Sequence, residues 1–127
     1  VSKVFPALEG KLTGNAVRVP TPDVSLAILN LTLNTVVTKS AIEKVLKEAS
    51  LFGDMVEQLE YSISNELVSS DVIGNSHASI VDGPATILSK DGRSAVIYVW
   101  YDNEYGYTRQ VVRLAKSLAG VIRLTYY

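Results

Sequence analysis

Two short stretches carry the residue types that could do chemistry. The first is RVPTP, Arg18 to Pro22. A guanidinium presents a planar fork of donors that grips a phosphate or carboxylate through two parallel hydrogen bonds. Here it stands beside a corner stiffened by Pro20 and Pro22, whose rings fix their own φ. Read alone, Arg18 suits an ordinary surface ion pair better, since most surface arginines do only that. The second stretch is WYDNEYGY, Trp100 to Tyr107. The amide of Asn103 offers a donor and an acceptor together, so it could read another amide, or it could simply satisfy a turn. Asp102 and Glu104 could exchange protons, but their place at a helix start suits capping and dipole roles better. Tyr101, Tyr105 and Tyr107 suit packing more than ligand stacking.

His77, in NSHASIVDG, could act as a general base with Asp71 or Asp82. No nucleophile accompanies it, since Ser76 and Ser79 lack an elbow motif. A structural role is expected. The chain has no cysteine and one histidine, which excludes disulfides, thiolate chemistry and multi-histidine metal sites within it. No catalytic residue and no metal ligand is therefore assigned from the residues themselves.

The 127 residues hold 12 basic and 13 acidic side chains with no block of like charge. That argues against a nucleic-acid surface, which needs clustered Lys and Arg. Hydrophobic residues make up 47%, so one domain with a real core is expected. No apolar run reaches the roughly 20 residues of a membrane helix. The opening VSKVFPALEGKL has no Met and no targeting pattern, and reads like the interior of a longer protein.

Several elements must position these residues. VSLAILNLTL alternates through Val24, Leu26 and Ile28, then through Leu29, Leu31 and Leu33. That phase slip predicts a long central strand with a bulge, or with both faces covered. TKSAIEKVLKEAS predicts a helix capped by Thr38 or Ser40, the latter in a capping box with Glu43. Its apolar stripe is Ile42, Val45, Leu46 and Ala49. Short strands broken by GNS and DGP are expected from Leu67 to Leu88, then a hairpin tip at Asp91-Gly92. SAVIYVWY reads as an interior strand. A helix over Thr108 to Leu118 follows, closed by Gly120. The fold class expected is α+β, a mixed, largely antiparallel sheet with helices on one face.

Taken together, KVFPALEGKLTGNAVRVPTPDVSLAILNL and the later WYDNEYGY with its helix resemble glyceraldehyde-3-phosphate dehydrogenase, the phosphorylating NAD enzyme. The resemblance runs from Lys3 to about Ala119, and VSLAILNL is similar to a bacterial branch with a longer parent chain. It covers only the C-terminal portion of the family's catalytic domain. The Rossmann NAD-binding domain and the segment bearing the catalytic Cys and His are expected to be absent from residues 1–127.

The resemblance implies roles at three positions. Arg18 matches the arginine that binds substrate or inorganic phosphate. Asn103 matches the asparagine that bonds the nicotinamide carboxamide, and Tyr107 an aromatic lining that side of the pocket. The aromatics would then pack the turn so that one amide is aimed at the cofactor. Tyr105 stands where Phe is common. His77 does not match the family's catalytic histidine, and GVIRLTYY follows no usable motif.

The implied reaction is thiolate attack on the aldehyde of glyceraldehyde 3-phosphate, hydride transfer to NAD and release of the thioester by phosphate. A homotetramer in the cytoplasm is implied as well, with no nucleic acid and no membrane. With no nucleophile of its own the chain alone is expected to be inactive, and to bind NAD weakly. Two alternatives stand beside this: erythrose-4-phosphate dehydrogenase, disfavoured by VPTP and WYDNE, and a non-catalytic, self-associating module with an exposed apolar face.

Overall fold

The computed structural model describes residues 1–121; the GVIRLTYY segment lies outside the described residues from Ile122 onward. Residues 9 to 24 have no regular structure after a short 3-10 turn at Pro6–Leu8. The first strand, β1, then runs Ser25–Thr32, followed by helix α1, Lys39–Leu51. Strand β2 (Leu59–Ser62), a one-turn helix α2 (Ser69–Val72) and strands β3 (Ser79–Leu88) and β4 (Ser94–Tyr101) come next. Helix α3, Tyr105–Leu118, ends the described chain.

The strands form one sheet in the order β1-β4-β3-β2. Both pairings of β4 are antiparallel, and β2 runs parallel to β3. This is the α+β, mixed and largely antiparallel sheet expected from the sequence. The long helix α1 lies on the face that carries Tyr61 and its neighbour Val81, with the Lys47 ammonium 5.2 Å from the centre of the Tyr61 ring. Cation–π contact of this kind is worth about 0.5–1 kcal/mol at an exposed site. The other face carries Ile80 and Trp100, and there Val72 of α2 and Val24 complete a small core with Leu67.

The elements form for local reasons. Thr38 caps α1, its Oγ1 accepting from Ala41 N at 3.2 Å. Ser40 is already inside the helix, so the capping box with Glu43 does not form. Replacing Thr38 by Ala should lower stability by about 1 kcal/mol, the usual value of such a cap. A urea titration checks this, and an unchanged midpoint would contradict it. Of the apolar stripe, Ile42, Leu46 and Ala49 are half-buried, whereas Val45 is exposed. The β3–β4 hairpin turns at Asp91-Gly92 as expected, with Gly92 at φ 68° and Asp91 Oδ1 accepting from Arg93 N.

Three expectations need correction. β1 is at the edge of the four described strands, not central. It is also in continuous register with β4 from Ser25↔Tyr101 to Thr32↔Ser94, so its phase slip marks two apolar faces and not a bulge. The bulge is in β3: DGP does not break that strand but is absorbed between Asp82 and Ile87, where the register with β4 shifts. A bulge leaves residues outside the ladder, which is how Pro84 is tolerated there. Finally, α3 starts at Tyr105, before the expected Thr108.

Among the described residues no helix is long and apolar enough to cross a membrane.

Candidate functional site

The site grows from the end of β4. Ser25 and Tyr101 are paired across the β1–β4 ladder, so the start of β1 lies beside the turn that follows β4. In that turn Asp102 is 3% exposed. Its Oδ1 accepts from the backbone N–H groups of Glu104 at 2.9 Å and Tyr105 at 2.6 Å, two of the orphan donors at the start of α3. Its Oδ2 accepts from Gly74 N at 2.8 Å, 28 residues back in the chain. Burial pushes this carboxyl up. The backbone donors from Gly74, Tyr105 and Glu104 outweigh that and hold it below its ordinary value. One carboxylate thus ties β4, α3 and the loop after α2 together.

The same loop is held by a polar network. His77 Nδ1 lies 3.1 Å from Glu60 Oε2 and 2.9 Å from Asn75 Oδ1, while Asn75 Nδ2 donates to Glu60 at 2.8 Å. His77 pairs with Glu60, not with Asp71 or Asp82. Those two are occupied elsewhere: Asp71 accepts from Val68 N, and Asp82 accepts from Ala85 N and, at 3.4 Å, Trp100 Nε1. Helix α3 approaches the loop so closely that a Cβ on Gly106 would lie 2.9 Å from the His77 carbonyl oxygen. Gln110 Nε2 adds a bond to Ser76 O at 3.2 Å.

On this support sits Asn103. It is exposed, and its Oδ1 accepts from the Ser25 hydroxyl at 2.7 Å. The amide nitrogen therefore remains as an outward donor. Asn103 lines a shallow cavity of about 220 Å³ with Ala78, Tyr101, Asp102, Tyr107 and Gln110. Two of the three expected site residues, Asn103 and Tyr107, are brought together there.

The third is elsewhere in the chain. Arg18 is exposed, and among the described residues it makes no hydrogen bond or ion pair, so its fork is open to an anion. The Pro corner beside it is real, closed by Thr21 N donating to Val19 O at 2.9 Å.

The expectation that aromatics pack the turn is corrected. Tyr101, Tyr105 and Tyr107 are all exposed. Hydrogen bonds to Asp102 and from Ser25 hold the turn instead. Asp102 is legible as a cap, because a carboxylate just before a helix finds free N–H groups. Ser25 is not legible, since its partner lies 78 residues away.

A family model described as "Glyceraldehyde 3-phosphate dehydrogenase, C-terminal domain" matches residues 1–103. The chain belongs to this family.

Its curated relatives agree. A glyceraldehyde-3-phosphate dehydrogenase-like protein of Pseudomonas aeruginosa is 50% identical over 120 residues, covering 94% of this chain and 26% of that protein. Glyceraldehyde-3-phosphate dehydrogenase 1 of Bacillus subtilis is 45% identical over 119 residues, covering 94% of this chain and 35% of its own length. The Borreliella burgdorferi glyceraldehyde-3-phosphate dehydrogenase is likewise 45% identical over 119 residues, at 93% and 35%. The chain thus spans about a quarter to a third of these relatives. What it matches is the C-terminal domain of that family. Among the described residues no group of three or more His, Asp or Glu side chains could hold a metal ion.

Proposed function

We propose that these residues form part of the catalytic domain of a phosphorylating, NAD-dependent glyceraldehyde-3-phosphate dehydrogenase, working in a cytoplasmic homotetramer. The observation that carries this reading is the polarity of the Asn103 site. With Oδ1 satisfied by Ser25, the amide offers N–H donors beside a cavity walled by Tyr101 and Tyr107. A flat aromatic ring bearing a carboxamide suits that combination of one donor and two aromatic walls. NAD, when bound, supplies the hydride acceptor. Asn103 would hold the carboxamide oxygen, and Asp102 keeps the turn that carries Asn103 in place. Tyr107 would line the ring's side of the pocket.

Arg18 would hold a phosphate, from the substrate or from inorganic phosphate, through its open guanidinium fork. The substrate's aldehyde carbon needs a thiolate to form the thioester. Since the 127 residues contain no cysteine, that nucleophile comes from polypeptide outside them. The apolar residues exposed on β1, namely Leu26, Ile28, Leu29 and Leu31, support association with further protein.

The pure 127-residue chain, supplied with glyceraldehyde 3-phosphate, NAD and phosphate, is accordingly expected to form no NADH above the blank. NADH accumulation by a sample of verified mass would overturn this expected inactivity, because it would require a nucleophile within the chain.

A further inference from the structure

We propose that Ser25 is the positioning residue of Asn103, the group that holds its amide with the nitrogen outward. This rests on the reading of Asn103 as the carboxamide-binding residue. A side-chain amide on an exposed turn has free rotation about χ1 and a broad, two-fold χ2. Its two ends have nearly the same shape and opposite hydrogen-bonding sense. Nothing in the Asp102 clamp constrains them, because every bond to that carboxylate from the turn comes from the backbone. Among the described residues, the 2.7 Å bond from Ser25 Oγ is the one hydrogen bond that the Asn103 side chain makes. It ties the amide to β1, and in the arrangement seen the oxygen is occupied and the donors are left for a ligand.

Ser25 is itself aimed by an unusual piece of backbone. The preceding residue, Val24, has φ 74° and is the one non-glycine residue with positive φ among the described residues. A β-branched residue in the left-handed region is a backbone outlier that persists where its surroundings over-determine it. Here they do. The Val24 side chain is buried against Val72 and Ile80, and its N–H donates to Asp23 Oδ1 at 2.7 Å. The entry to β1 is joined to the exit from β4 by the Ser25↔Tyr101 ladder pair and by the bond from Ser25 to Asn103. The left-handed residue stands immediately before the serine whose hydroxyl reaches the Asn103 oxygen.

The test uses side-chain amide NMR of the ¹⁵N-labelled chain with free nicotinamide as probe. Ser25→Thr and Ser25→Val have the same outline and differ in one hydroxyl, so packing is matched between them. Wild type and Ser25→Thr are expected to show a dispersed Asn103 amide pair that moves on adding nicotinamide. In Ser25→Val the pair should collapse toward the value of a free asparagine, with the backbone spectrum otherwise unchanged. Its response to nicotinamide should fall about fivefold to tenfold, the size expected for one net hydrogen bond. An Asn103 pair equally dispersed in Ser25→Val and Ser25→Thr would overturn the positioning role. A pair that depends on the hydroxyl but ignores nicotinamide would leave Ser25 as the holder of the amide and overturn the carboxamide reading of Asn103.

Discussion

Replacing Asp102 by Ala is expected to lower stability by about 3–5 kcal/mol, a large share of the roughly 5–15 kcal/mol that holds a typical domain together. The carboxylate is 3% exposed and receives three backbone N–H groups, from Gly74, Glu104 and Tyr105. Each bond to a charged acceptor is worth about 1.5–3 kcal/mol, and a buried donor left without its partner costs a further desolvation penalty. The terms are not additive, so the sum is capped well below three full bonds.

The loss should also be visible in position. Asp102 joins the loop at Gly74 to the first turn of α3, so amide exchange should rise in both places together. Equilibrium denaturation measures the total, and a loss under about 1 kcal/mol would contradict the clamp role of this carboxylate.

The same carboxylate gives a pH dependence whose sign follows from its lowered pKa. A group with a folded value below its unfolded one stabilises the fold fully above the unfolded value, and that stabilisation is lost as pH falls through the folded value. The contribution of Asp102 should therefore be constant from neutral pH down to about 4 and fade only in stronger acid. The difference between wild type and Asp102→Ala should shrink over that acid range and nowhere above it.

Asn103 should behave in the opposite way. It is exposed, so Asn103→Ala is expected to change stability by less than about 0.5 kcal/mol. In an assembled enzyme carrying this chain, however, kcat/KM for NAD should fall by about 100-fold, the scale on which misplacing a reacting group acts. Asn103→Asp should be as damaging, because a carboxylate keeps the acceptor toward Ser25 but has no donor to offer. Activity in Asn103→Asp close to wild type would show that the outward group works as an acceptor and not as a donor.

How much of the fold is legible in the sequence depends on how far apart the partners lie. Helix α1, the Asp91-Gly92 hairpin, the interior position of β4 and the glycine after α3 all follow from patterns within a dozen residues, and all are readable. The placement of β1 is not. Apolar residues on both faces, such as Leu26 and Leu29, record what a strand is built to be covered by. They do not record which neighbours supply the cover, and β1 stands at an edge of the four described strands. DGP resembles a strand end because Gly and Pro usually punctuate, yet a register shift carries β3 through it.

The site divides in the same way. Asp102 is readable as a cap, and RVPTP with WYDNEYGY points to Arg18, Asn103 and Tyr107. The partnership of Asn103 with Ser25 spans 78 positions and leaves no local trace. The tyrosines mislead because aromatic clustering in sequence suggests packing, whereas the turn is held by hydrogen bonds and the rings stay exposed.

The most direct measurement is a chimera in which this chain replaces the matching segment of the Bacillus subtilis relative, assayed for NADH formation from glyceraldehyde 3-phosphate, NAD and phosphate. If Asn103 holds the carboxamide, turnover will require phosphate and will drop about 100-fold on Asn103→Ala. A folded chimera that binds NAD but forms no NADH, or one indifferent to Asn103→Ala, would contradict that role.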